Sequence, residues 1–310
     1  MHPAISVLLL TTLLGAGQGL FLALYVAELA ARLQLVAAPD TRFYVIGAVL
    51  SLVLSGLGLV ASIFHLGRPG RGWRAAARWR TSWLSREVIA LPVFMAGVFA
   101  YGVAHLTGIG STAALGALTA AFSIALFICT GMIYAAVRAL QEWATPLTPV
   151  NYLLLGCASG TTLAAAYAAL YGSPLADAFA LAAIALTLGG FVTRTASLAR
   201  NRSLRPRSTL QTAIGVPHPQ ITQRSQGLMG GSFNTREFFH GATTEKMRAI
   251  RWAFLALAFV LPVLLLAVAG RSAPVLVGAF LIQYLGLLAE RWYFFAEANH
   301  PQNLYYQAIS

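Results

Sequence analysis

The sequence predicts an all-α integral membrane protein, a bundle of eight transmembrane helices forming one membrane-anchor domain over residues 1–310. Three observations predict it. Mean hydropathy is +0.71 and only 10% of residues are charged, against roughly 25% in a soluble domain. Eight apolar runs are each long enough to cross the bilayer's hydrocarbon core, which takes about 20 residues. These runs are continuously apolar rather than alternating, which selects helices over a β-barrel. The pI near 10.4 is that of basic loops on a membrane protein, so no nucleic-acid partner is expected.

The first span is placed at 5–31. No Lys or Arg precedes it and no convincing small-residue cleavage site follows, so it is read as a retained helix rather than a signal peptide. Gly15, Gly17 and Gly19 around Gln18 mark close helix packing. Glu28 has Arg32 at the favourable i+4 spacing. The second span, 43–65, closes with Ser62 and His65. A loop at 66–83 carries Arg68, Arg71, Arg74, Arg78 and Arg80. The third span, 84–106, opens around Ser82, Trp83, Ser85, Arg86 and Glu87 and ends near His105.

The fourth and fifth spans, 111–138 and 148–171, contain Cys129 and Cys157. Two isolated cysteines make neither a zinc nor an iron–sulfur site and are read as packing residues. The sixth span is 174–199, and a long loop follows over 200–248 with Pro206, Pro217 and Pro219. Such a loop without periodicity is functional or disordered. Its stretch SFNTREFFHG (232–241) sets Phe233, Phe238 and Phe239 beside Arg236. That composition suits a protein interface or, equally, a flap folded onto the bundle. The seventh span, 249–269, contains Pro262, and the eighth, 273–295, carries Glu290 and Arg291 near its end. Snorkelling to the boundary accounts for that last pair.

Basic residues orient the bundle. Eight spans put both termini on one side, and 18 of the 21 Lys and Arg residues fall there. Only Arg32, Arg42 and Arg271 fall on the other. The excess marks the cytoplasmic side, so both termini are expected in the cytoplasm of a bacterial inner membrane. Arg32 and Arg42 after the first helix oppose this locally; the global bias outweighs them.

Ionisable groups within a membrane are costly and are functional candidates by default. His65 and Glu87 fall at one depth on consecutive helices, beneath the arginine loop. Ser62 lies one turn before His65, while Ser82, Ser85 and Arg86 flank the start of the next helix and Trp83 adds an aromatic face. A quinone ring needs a donor to each carbonyl, a flat apolar slot and groups that pass protons. The hairpin supplies these types, although an interfacial His and Glu without a ligand would read the same way.

HLGRPGRGWRAAARWRTSWLSREV (65–88) resembles the HLG-x-P … S-x-L-S-x-E hairpin of the dimethyl sulfoxide reductase membrane-anchor family. ATPLTPVNYLLLG (144–156) is similar to that family's entry into the fifth helix. The opening MHPAISVLLLTTLLGAGQGL, SFNTREFFHG and the ending AERWYFFAEANHPQNLYYQ are similar to one branch, the anchors of the cytoplasmic sulfite dehydrogenase. The resemblance covers essentially the whole chain. It implies quinone or quinol as bound substrate, with His65 and Glu87 at the family's quinone-site positions, and no haem. It also implies two partners, an iron–sulfur electron-transfer subunit and a molybdopterin catalytic subunit, which hold the metal cofactors. Arg71, Arg74, Arg78, Phe233, Arg236, Phe238 and Phe239 are the expected docking residues. The family's reductase anchors carry their partners outside the cytoplasm, so the arginine count favours the sulfite-oxidising branch.

Other readings have their own requirements. A haem needs two facing axial ligands, but His2, His65, His240 and His300 lie near or outside the basic boundary and His105 lies at the other. A secondary transporter would show inverted repeats with interruptions at matching positions; Pro92 and Pro262 have no accompanying repeat. A reductase-type anchor oxidising quinol, a transporter and a purely structural anchor stay open as alternatives to a quinone-reducing one.

Overall fold

A computed structural model describes residues 1–64, 68–205, 209–222, 224, 239–268, 270, 272–301 and 303. The chain is all-helical among the described residues, and eight helices are long and apolar enough to span a membrane. They are α1 (Ile5–Arg32), α2 (Thr41–Ile63), α3 (Trp83–Thr107), α4 (Thr112–Ala135), α5 (Leu147–Tyr171), α6 (Leu175–Arg202), α8 (Thr244–Val268) and α9 (Ala273–Glu297). A short α7 (Leu210–Ile214) and a 3₁₀ helix (Pro69–Arg78) lie in the connections.

Helix starts follow local chemistry. Asp40, Ser82, Ser111 and Thr243 each accept a hydrogen bond from the backbone N–H three residues on, satisfying donors that an N-terminus leaves free. The Thr243 cap starts α8 five residues ahead of the apolar run at 249. Gly108 and Gly172 end α3 and α5 in the left-handed conformation, which glycine adopts without strain.

Helices α1 and α5 form the centre. Their most apolar stretches are 72% and 67% buried, against at most 39% for the other six. Their backbones touch: a Cβ on Gly160 would lie 2.2 Å from Leu20 N, and one on Gly19 would lie 2.3 Å from the Gly156 carbonyl oxygen. Small residues allow this approach, which maximises dispersion contacts where lipid offers no hydrophobic drive between helices. Gly160→Val is therefore expected to separate α1 from α5 at a cost of about 1–3 kcal/mol or more. Thermal unfolding of the purified chain checks this. Gly189→Ala, whose added methyl meets nothing within 4 Å, should leave the midpoint unchanged.

Helix α8 carries a π-helical turn over Ala256–Val260, ending two residues before Pro262. Proline has no N–H, so the Ala258 carbonyl loses its i+4 donor. The Gln283 amide of α9 donates to that carbonyl at 3.3 Å and to Thr187 of α6 at 3.0 Å. A side chain thus satisfies a backbone group that lipid could not.

The N-terminus meets the end of α9. The Met1 ammonium donates to the Ala298 carbonyl at 2.9 Å, just beyond α9. Within SFNTREFFHG only residues 239–241 fall among those described; the His240 ring packs edge-on against Trp292 of α9, with centroids 6.2 Å apart. Burial, with the N-terminal ammonium and His2 nearby, lowers the His240 pKa below its ordinary value.

Candidate functional site

Glu87 stands in the first turns of α3, with Trp83 one turn earlier on the same face. Its side chain turns into the bundle and the residue is only 8% exposed. Oε1 accepts a hydrogen bond from Thr130 of α4 at 2.5 Å; Oε2 takes none among the described residues. Glu87 lines a narrow cavity of about 20 Å³, together with Gln18 of α1, Thr130, Tyr152 and Ser159 of α5, and Arg291 of α9. A water needs roughly 10–15 Å³ of such space and two to four polar partners, so the cavity suits about one water. It is far below the roughly 300 Å³ of a typical ligand pocket.

The other hairpin candidates sort by their bonds. Ser82 caps α3 by accepting from Ser85 N at 3.3 Å, and Ser85 is buried. Arg86 lies over the Trp83 ring at 4.2 Å and donates to the Trp79 and Arg80 carbonyls, both at 2.9 Å. It thereby pins the arginine loop to the start of α3. Ser62 donates to the Leu59 carbonyl at 2.7 Å. The structure thus gathers Ser82, Trp83, Ser85, Arg86 and Glu87 into one turn of chain, while His65 lies outside the described residues. Of the docking candidates, Arg71, Arg74 and Arg78 are exposed on the 3₁₀ helix and Arg74 lies 5.5 Å from the Trp73 ring. Phe239 is half-buried; Phe233, Arg236 and Phe238 lie outside the described residues.

One charged cluster departs from the sequence reading. Glu290 and Arg291 do not snorkel. Glu290 is fully buried at 0% exposure, with Arg194 of α6, 2% exposed, 2.7 Å away through its Nε. Arg291 Nη1 is 3.3 Å from the other Glu290 oxygen, and its guanidinium covers the Tyr152 ring at 3.8 Å. Glu297 stands 3.8 Å from Arg194 Nη2. These residues lie up to two turns inside the helix ends and face the protein, so mutual pairing replaces contact with headgroups. Nothing in the spacing of 194 and 290 announces the pair.

On the opposite face His105 joins a second charged cluster. Its ring stacks on Tyr44 at 4.4 Å, and Nε2 is 3.5 Å from Glu28 Oε2. Glu28 accepts from Arg32 at 2.8 Å, as the i+4 spacing indicates, and also from Tyr101 at 2.7 Å and Thr112 at 2.5 Å. An open cleft of about 330 Å³ adjoins this cluster. Between it and the Glu87 cavity lie Phe21, Leu24 and Phe94, fully buried, with the Phe21 ring edge-on to Phe94 and to Tyr101. Along α1 the gap from Gln18 to Glu28 is about 15 Å.

Comparisons with known proteins agree with this architecture. The family described as DMSO reductase anchor subunit (DmsC) matches residues 1–296. The chain is 54% identical, over an alignment of 327 residues covering 100% of both chains, to a sulfite dehydrogenase subunit from Allochromatium vinosum. It is 31% identical over 130 residues, 41% of this chain and 45% of the other, to the anaerobic dimethyl sulfoxide reductase chain YnfH of Escherichia coli.

Proposed function

The chain belongs to the DMSO reductase anchor subunit family, and from that premise we propose that it is the quinone-reactive anchor of a sulfite-oxidising complex. A molybdopterin subunit would convert sulfite and water to sulfate, two protons and two electrons. An iron–sulfur subunit would relay the electrons to this chain, where quinone takes them up. The full-length similarity to a subunit of a sulfite dehydrogenase supports the donor. The observation that carries the quinone reading is Glu87, a carboxyl buried in the first turns of α3 that lines an interhelical cavity and, among the described residues, has only one oxygen hydrogen-bonded.

Each residue then has a task. Thr130 fixes the carboxyl through Oε1, leaving Oε2 to hold or give a proton. Trp83 offers its ring as one wall for the head group. His65, at the end of the neighbouring helix, donates a hydrogen bond to one carbonyl. The apolar plug of Phe21, Leu24 and Phe94 closes the way to the far face, so protons come from the arginine-rich side. With 18 of 21 basic residues there, that side is the cytoplasm, and turnover moves no charge across the bilayer. The exposed Arg71, Arg74 and Arg78, with the 232–241 segment, form the docking surface for the iron–sulfur subunit.

Topology and partners are tested together. A reporter fused after residue 303 should be active as a cytoplasmic fusion, and one after Gly110 as a periplasmic one. Purification through this chain should retain an iron–sulfur and a molybdopterin protein, cross-linked through positions in 68–80. A periplasmic C-terminal reporter would overturn the orientation; an intact complex without cross-links from 68–80 or 232–241 would overturn the docking surface.

A further inference from the structure

Tyr152 lies in the ATPLTPVNYLLLG stretch, one and a half turns into α5. Its hydroxyl is buried and, among the described residues, makes no hydrogen bond of good geometry. Tyr134, stacked ring on ring at 5.6 Å, brings its phenol close enough to interact with that hydroxyl but short of good hydrogen-bond geometry. A buried hydroxyl without a well-placed partner costs roughly 1–3 kcal/mol, which a water accepting from it in the adjoining cavity would offset. Tyr152 lines the same cavity as Glu87, Thr130, Gln18 and Ser159. The space there is about 20 Å³, enough for roughly one water.

We propose that Tyr152 is a proton-relay residue of the quinone site, acting through Glu87 by way of a single water held in the interhelical cavity. This rests on the quinone-reactive reading above. In each turnover two electrons arrive from the iron–sulfur subunit, and two protons form the two O–H bonds of the quinol. A proton leaving Glu87 Oε2 is replaced from the cavity water. The water regains one from the Tyr152 hydroxyl, and Tyr152 regains one drawn from the arginine-rich face. Two such passes balance the reaction, and the tyrosine, water and carboxyl end as they began. The Arg291 guanidinium, 3.8 Å from the Tyr152 ring, favours negative charge on the phenol while the proton is in transit. Arg291 is itself held by Glu290 at 3.3 Å. The relay thus gives the cation cluster at the end of α9 a role in the chemistry.

Tyr152→Phe in the purified whole complex tests this, with Tyr171→Phe at the far end of α5 as control, since Tyr171 bonds Asp40 and does not line the cavity. The phenylalanine keeps the ring under Arg291 and removes only the hydroxyl. Quinone-linked kcat should fall about tenfold, with the quinone KM unchanged and an enlarged solvent deuterium isotope effect. Activity with a soluble artificial acceptor should persist, and Tyr171→Phe should behave as wild type. Unchanged kcat and isotope effect in Tyr152→Phe would overturn the relay, as would a raised KM with unchanged kcat. Wild-type complex without quinone-linked activity would instead refute the quinone reading itself. If Tyr152→Phe fails to assemble, infrared difference spectra of wild-type complex with ring-deuterated tyrosine decide: tyrosine bands that change on quinone reduction uphold the relay, and their absence refutes it.

Discussion

Glu87→Gln is expected to slow quinone-linked turnover tenfold or more while the complex stays assembled. Gln has nearly the same shape and can still accept from Thr130, so the α3–α4 contact survives. It cannot carry a proton from the cavity to the hairpin mouth. Loss of one charged hydrogen bond is worth about 1.5–3 kcal/mol, and each 1.4 kcal/mol is about tenfold. Activity with a soluble artificial acceptor should persist, because that acceptor takes electrons before they reach this chain. His65→Ala should lower the same activity and spare the same control. Normal quinone-linked activity in both variants would refute the site. Loss of both activities together would assign Glu87 a structural role.

Glu290→Ala should have the largest effect on stability, about 3–5 kcal/mol, the range for breaking a buried ion pair by removing one partner. Arg291 would be left with uncompensated charge, and Arg194 with only Glu297 at 3.8 Å, where Glu290 is now 0% exposed. Thermal unfolding of the detergent-solubilised chain measures it. Removing both members can be nearly neutral. Arg194→Met combined with Glu290→Gln should therefore recover much of the loss, since Gln still offers Arg291 an acceptor. A single variant as stable as wild type would mean that water, not the ion pair, solvates Arg194.

How far the sequence reached depended on which signal was local. Spans were legible because twenty-residue apolar runs are long-range averages that no single residue disturbs. Glu28–Arg32 was legible because i+4 pairing is contained within one helix. Glu87 stood out as a carboxyl at the head of an apolar run, but its rotation toward Thr130 is set by α4, 43 residues on. Arg194 and Glu290 were hidden for the same reason: each looks like a boundary charge until α6 and α9 are placed side by side. Tyr152 sat in a stretch already singled out, yet a tyrosine in an apolar helix reads as core. Only the cavity and the missing hydrogen bond distinguish it. The π turn of α8 could be suspected from Pro262, but not the Gln283 amide that repairs it.

The most direct measurement compares quinone reduction by the complete complex with that by the soluble subunits lacking this chain, under the same electron donor. The complete complex should reduce both a quinone and a soluble artificial acceptor, and the soluble subunits only the latter. Equal quinone reduction without this chain would contradict its role as the quinone-reactive subunit and leave it an anchor alone.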